Sequence, residues 1–72
     1  GGLTAPMPGK IIAVMAKAGQ AVTAGDKLVV MEAMKMEHTI SAPVTGTVKE
    51  VFFDVGDQVE DGAELIAIEE AE

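Results

Sequence analysis

The chain predicts an all-β fold, a flattened sandwich or barrel built from two quasi-symmetric halves. Three observations carry this reading. Glycines recur at matching places, Gly9, Gly19 and Gly25 returning 37 positions later as Gly46, Gly56 and Gly62. The stretches between them are short and rich in Val, Ile and Met, as expected of strands closed by turns. No stretch between glycines is both long and periodic at about 3.6 residues, the spacing a helix needs. Ala13 to Ala21 is the best helical candidate, and Gly19 with its β-branched neighbours argues against it.

In chain order the predicted strands lie near residues 3–6, 10–17, 27–33, 36–41, 47–54 and 64–70, with short extra pairings near Val22 and Val59. Thr4-Ala5-Pro6-Met7-Pro8-Gly9, which begins in the first, is echoed by Ser41-Ala42-Pro43-Val44-Thr45-Gly46, which begins at the end of the fourth. In the second and fifth, Ile11 and Val14 match Val48 and Val51. A spacing of three would send such a pair to opposite faces of a regular strand. A β-bulge between them returns both to the core, and the same irregularity in both halves favours a bulge in each. Val29-Val30-Met31 and Leu65-Ile66-Ala67-Ile68 are continuous apolar runs, as in strands covered on both sides or nearly so. The turns come from Gly19-Gln20-Ala21-Val22-Thr23-Ala24-Gly25 and its echo Gly56-Asp57-Gln58-Val59-Glu60-Asp61-Gly62, where glycine supplies positive φ.

Each half is too short to bury a core alone. The halves must therefore pack as one unit about a pseudo-two-fold axis, so that residues 4–34 and 41–71 superpose. The axis places the junction Glu32-Ala33-Met34-Lys35-Met36-Glu37 at a hairpin, and the chain termini at the opposite end. Residues 1–72 are read as a single domain, with Gly1-Gly2 as either the end of a linker from a longer polypeptide or a cloning remnant.

Composition narrows the function. Twelve acidic residues against five lysines, with no arginine, give a net charge of −7. Binding to phosphate backbones needs clustered cations, so nucleic acid is not an expected partner. An anionic membrane surface is not expected on the same ground, and no apolar run approaches the ~20 residues of a membrane-spanning helix. There is no cysteine, hence no disulfide and no thiol chemistry. His38 is the lone histidine, so a metal site is not expected, and a solvent-facing strand residue is the plain reading of it.

Lys35 stands where two strands reverse, its amine on a flexible four-carbon stem. An ordinary exposed lysine is the plain alternative, and most lysines are that. Two features weigh against it here. The repeat centres on this residue, and Met34-Lys35 is a poor choice for a two-residue turn, which prefers Asn-Gly or Gly first. A local rule broken at one spot often marks function. Met34 and Met36 would be gap-filling core residues by default; beside a tip they are exposed, soft contacts for recognition. Glu32 and Glu37 flank the lysine, and no neighbouring base is present to activate its amine as a nucleophile. No Ser-His-Asp set, no paired acids in a cleft and no phosphate loop appear. The chain reads as a substrate and carrier, not an enzyme.

Glu32-Ala33-Met34-Lys35-Met36-Glu37 resembles the attachment motif of biotinyl, or biotin carboxyl carrier, domains. The resemblance extends over the whole chain, through Ala5-Pro6-Met7-Pro8-Gly9, Gly19-Gln20-Ala21-Val22, Gly25-Asp26-Lys27-Leu28, Ala42-Pro43-Val44-Thr45-Gly46-Thr47-Val48 and Gly56-Asp57-Gln58-Val59. With His38-Thr39-Ile40 it is most similar to the biotin-containing subunit of acyl-CoA carboxylases of the methylcrotonoyl-CoA type. The gapless repeat leaves no room for the protruding loop that some members insert in the first half.

The resemblance implies covalent biotin on Lys35, with Glu32, Ala33, Met34, Met36 and Glu37 as recognition residues. It implies a biotin protein ligase acting through biotinyl-adenylate. It also implies a biotin carboxylase that loads an activated carboxyl group, a carboxyltransferase that unloads it, a monomeric isolated domain, and a cytoplasmic or mitochondrial matrix location. Two alternatives stand beside it: a lipoyl carrier domain of a 2-oxoacid dehydrogenase complex, and an unmodified lipoyl-like interaction module. Lipoyl domains usually place Asp before the lysine and a small residue after it, so Met34 and Met36 favour biotin.

Overall fold

A computed structural model describes residues 2–71 and contains eight strands and, among those residues, no helix. They are β1 (Gly2–Thr4), β2 (Gly9–Val14), β3 (Ala21–Val22), β4 (Lys27–Ala33), β5 (Met36–Ser41), β6 (Gly46–Val51), β7 (Gln58–Val59) and β8 (Glu64–Glu70). Two four-stranded antiparallel sheets result, ordered β1-β8-β6-β3 and β5-β4-β2-β7. The molecule is elongated, 37 × 18 × 18 Å.

The repeat governs the architecture pair by pair. Lys10↔Glu32, Ile11↔Met31, Ala13↔Val30 and Val14↔Val29 in one sheet return as Thr47↔Glu69, Val48↔Ile68, Glu50↔Ala67 and Val51↔Ile66 in the other. The halves interlock, because β3 closes the edge of β6 while β7 closes the edge of β2. The turns follow the same rule: Gly19 N donates to Val48 O at 2.7 Å, and Gly56 N to Ile11 O at 2.7 Å. Neither half can complete a sheet without the other.

The anticipated bulges are present in both halves. Register slips between Ile11 and Ala13, leaving Ile12 as the extra residue, and between Val48 and Glu50, leaving Lys49. Ile11 and Val48 are fully buried, whereas Val14 and Val51 reach only half-burial at the margin of the core. A further slip between Lys27 and Val29 lets the successive side chains Leu28 and Val29 both turn inward. The core is aliphatic, with Ile11, Leu28, Met31, Leu65 and Ile66 at its centre.

Strand lengths depart from expectation in three places. β4, β5 and β8 match the predicted spans, but β1 ends at Thr4, β2 at Val14 and β6 at Val51. Ala16 and Phe53 leave the ladder and fold toward the core, which ends β2 and β6 early. Gly9 and Gly46 also differ from their reading as turn residues. They open β2 and β6 and are buried.

Gly19 and Gly56 do serve the turns, at φ +89° and +96°, with no atom within 4 Å of a Cβ built on either. A side chain there meets backbone strain and nothing else. Gly19→Val and Gly56→Val are each expected to cost about 1–3 kcal/mol, a fall of roughly 4–24 °C in melting temperature for a domain of this size. Asparagine, which tolerates the left-handed region, costs less at the same sites. Equal melting temperatures for parent, Val and Asn forms would contradict this.

Candidate functional site

The β4–β5 hairpin pairs from Lys27↔Ser41 at its open end to Ala33↔Met36 at its closed end. Only Met34 and Lys35 connect the strands, and both are left-handed, at φ 54° and 65°. Two positive φ values in a two-residue connection define the type I′ turn, whose twist matches that of the flanking strands. Neither residue is glycine, so each carries a cost of roughly 1–2 kcal/mol. The surroundings enforce the conformation. β4 is paired on both sides, by β2 and β5, and Ala33 is buried as the last anchor before the reversal.

Hydrogen bonds locate this tip in the molecule. At the open end of the hairpin, Ala42 N donates to Asp26 O and Gly25 N to Ala42 O, each at 2.8 Å. Ala24 N donates to Thr45 Oγ1 at 2.9 Å, and Ala71 N to Thr45 O at 2.8 Å. The described C-terminal end therefore lies at the open end, and Lys35 lies at the far one. β1 agrees, since it runs antiparallel to β8 from Gly2 opposite Ala67 to Thr4 opposite Glu64, which turns its N-terminal side toward Glu70.

All six residues singled out in the sequence meet at this tip. Lys35 is exposed, Met34 is 86% exposed and Met36 62% exposed, so the flanking methionines are not core residues. Glu32 and Glu37 face each other across the ladder. Like charges so placed oppose pairing, and Lys10, opposite Glu32 on the other side, offsets this. The other lysines occupy ordinary surface: Lys10 in β2, Lys17 before a turn, Lys27 at the start of β4, Lys49 in the β6 bulge. His38 is half-buried, opposite Met31, and not fully solvent-facing as expected. The described residues hold no group of three or more His, Asp or Glu fit to bind a metal. No described helix is long and apolar enough to cross a membrane.

The sequence reading gave Gln58 no role of its own; from β7, at the edge of the sheet, its side-chain amide donates to Gly9 O at 3.3 Å. A signal for it existed in the repeat: the equivalent position is Ala21, which has no side-chain amide to offer.

Among the described residues no pocket opens beside the tip. The exposed primary amine of Lys35 has the chemistry for an amide link. Because Met34 and Met36 lie outside the core, the double variant Met34→Ala, Met36→Ala is expected to keep its stability within ~0.5 kcal/mol. It should nevertheless be handled poorly by at least one enzyme that acts on the tip. Thermal unfolding and modification rate, read on the same samples, test this. Parental values for both would leave the methionines without a role.

Comparison with known proteins places the geometry in context. The sequence pattern of the family described as biotin-requiring enzymes matches residues 2–68. The chain is 56% identical, over all 72 residues, to the mitochondrial methylcrotonoyl-CoA carboxylase subunit alpha of Mus musculus, covering 10% of that protein. It is 41% identical to the biotin carboxyl carrier protein of acetyl-CoA carboxylase of Solanum lycopersicum, over 97% of this chain and all of that one. Among solved structures, a single-chain, multi-domain long-chain acyl-CoA carboxylase superposes on the whole chain with a TM-score of 0.92 at 33% identity, through 7% of its own length. The chain thus spans about a tenth of the carboxylase subunits it matches.

Proposed function

The chain belongs to the family of biotin-requiring enzymes and is a biotin carboxyl carrier domain with covalent biotin as its prosthetic group, and from that premise we propose that Lys35 is the residue that carries it. One observation supports the assignment above the others. Lys35 is the lysine set in a strained, rigidly supported reversal at the end of the molecule away from the described C-terminal residue. In the ligase reaction the Lys35 amine attacks the carbonyl of biotinyl-adenylate, an amide forms, AMP leaves, and the amine gives up its proton. The chain supplies the nucleophile's position; the base and the activated donor come from a biotin protein ligase.

When bound, biotin supplies a ring nitrogen that accepts and releases a carboxyl group. The protein holds that ring out on a long side chain at one end and attaches to its parent polypeptide at the other. Tethering raises the effective concentration of the carrier at both reaction centres. In our reading the parent is a biotin-dependent carboxylase in the ligase class, and residues 1–72 act as its single, non-catalytic carrier domain. A biotin carboxylase site loads the carboxyl group and a carboxyltransferase site passes it to an acyl-CoA, in the cytoplasm or the mitochondrial matrix. The mitochondrial carboxylase relatives support the second location. In isolation the domain is monomeric.

Intact-mass analysis and peptide mapping after expression with biotin and its ligase test the assignment. One biotinyl group on Lys35 is expected. A lipoyl group there, biotin elsewhere, or an unmodified chain would overturn it.

A further inference from the structure

The two ends of this molecule share one backbone design, yet only one of them sets a lysine in a left-handed hairpin reversal. That makes each end a control for the other. At Gly9 a Cβ would stand 2.5 Å from Glu32 O, 2.6 Å from Met31 Cε and 3.1 Å from Ala33 Cβ. Real Cβ atoms do not come so near backbone oxygens, so any side chain at this position displaces the end of β4. At Gly46, the equivalent position, a Cβ would collide with Glu69 O and lie 2.9 Å from Glu70 Cα. The packing conflict is thus at least as severe at Gly46.

What lies beyond the conflict differs. Glu69 and Glu70 close β8 at the end of the molecule opposite the tip. Past Glu32 and Ala33 comes the strained Met34-Lys35 reversal, closed by the Ala33↔Met36 pair. The ends differ again in a tie on the glycine itself. Gln58 Nε2 donates to Gly9 O, whereas Ala21, the counterpart of Gln58, has no side-chain donor. Folding alone does not call for the amide, because β3 pairs with β6 without one.

We propose that Gly9, tied by Gln58, is the positioning residue of the Lys35 tip: it lets β2 approach the last residues of β4 and so sets where the reversal stands when the ligase meets it. This rests on the assignment of Lys35 and goes beyond it to residues 26 and 23 positions away in sequence.

The experiment compares Gly9→Ala, Gly46→Ala and Gln58→Met. Each is read by melting temperature, by kcat/KM for biotinylation at a temperature where the chain is folded, and by backbone amide resonances of Met34, Lys35 and Met36. Both glycine variants should melt lower. Gly46→Ala should keep parental kcat/KM and parental tip resonances. Gly9→Ala should lose about tenfold or more in kcat/KM, with shifted tip resonances. Gln58→Met changes an exposed side chain and introduces no clash, so it remains informative if Gly9→Ala does not fold. It should shift the same resonances and lower kcat/KM by a few-fold. Tip resonances and rates that match the parent in Gln58→Met, or that match Gly46→Ala in Gly9→Ala, overturn the proposal. Absence of biotin from Lys35 in the parent chain would instead overturn the assignment of the site, and the resonance comparison, which needs no ligase, would still judge Gly9.

Discussion

Lys35→Ala is expected to abolish biotin incorporation outright while leaving the fold intact. The chain has four other lysines, and each is an exposed amine of similar chemistry. If exposure sufficed, Lys10, Lys17, Lys27 or Lys49 would take up the modification at a reduced rate. None of them sits in a left-handed reversal at a hairpin end. Loss to background therefore tests geometry, not the count of amines. Lys35→Arg should fail equally, because a guanidinium stays protonated and offers no nucleophilic nitrogen. Exchanging the pair, as Met34→Lys with Lys35→Met, keeps a lysine in the turn but redirects it, and should lose most of the rate. Stability in all three should stay within ~0.5 kcal/mol of the parent, since the side chains concerned are solvent-facing. Residual biotin on the Lys35→Ala chain, traced by peptide mapping, would contradict the account.

The largest effect on stability is expected at Met31, three residues from an exposed methionine of the opposite character. Met31 is fully buried, at 0% exposure, against 86% for Met34. Met31→Ala removes its side chain from the centre of the core and should cost about 2–5 kcal/mol. A domain of this length commands only ~4–11 kcal/mol in total, by the usual per-residue stability. The variant should thus be marginal near body temperature, whereas Met34→Ala should melt with the parent. Denaturant unfolding of the two side by side separates core from tip within one short segment. Similar losses for both would mean that the tip is packed, not presented.

The reach of the sequence varied with the cause of each feature. Where the repeat dictated structure, residue positions carried over closely. Glycines at matching offsets led to the pairing of halves, and the Ile11/Val14 and Val48/Val51 spacing led to the bulges. Burial followed hydrophobic pattern at Val29 and Ile66 but fell short at Val14 and Val51, which lie where β2 and β6 run out. The ends of β2 and β6 were not legible because they depend on tertiary packing of Ala16 and Phe53, and alternation along a strand does not encode that. The tip was legible as a broken turn rule at Met34-Lys35, and its left-handed backbone is the structural form of that breach. Gly9 was legible only as a glycine. Its close approach to Glu32 exists only once β2 and β4 are side by side.

The central claim is that this chain carries a carboxyl group on a biotin held by Lys35. The most direct measurement incubates the biotinylated chain with a biotin carboxylase, ATP and isotopically labelled bicarbonate, then adds a carboxyltransferase and an acyl-CoA. The account predicts acid-labile label on the biotinylated chain, none on Lys35→Ala or on the unbiotinylated chain, and discharge of that label to the acyl-CoA. A fully biotinylated, folded chain that takes up no label, or takes it up without Lys35, would contradict it.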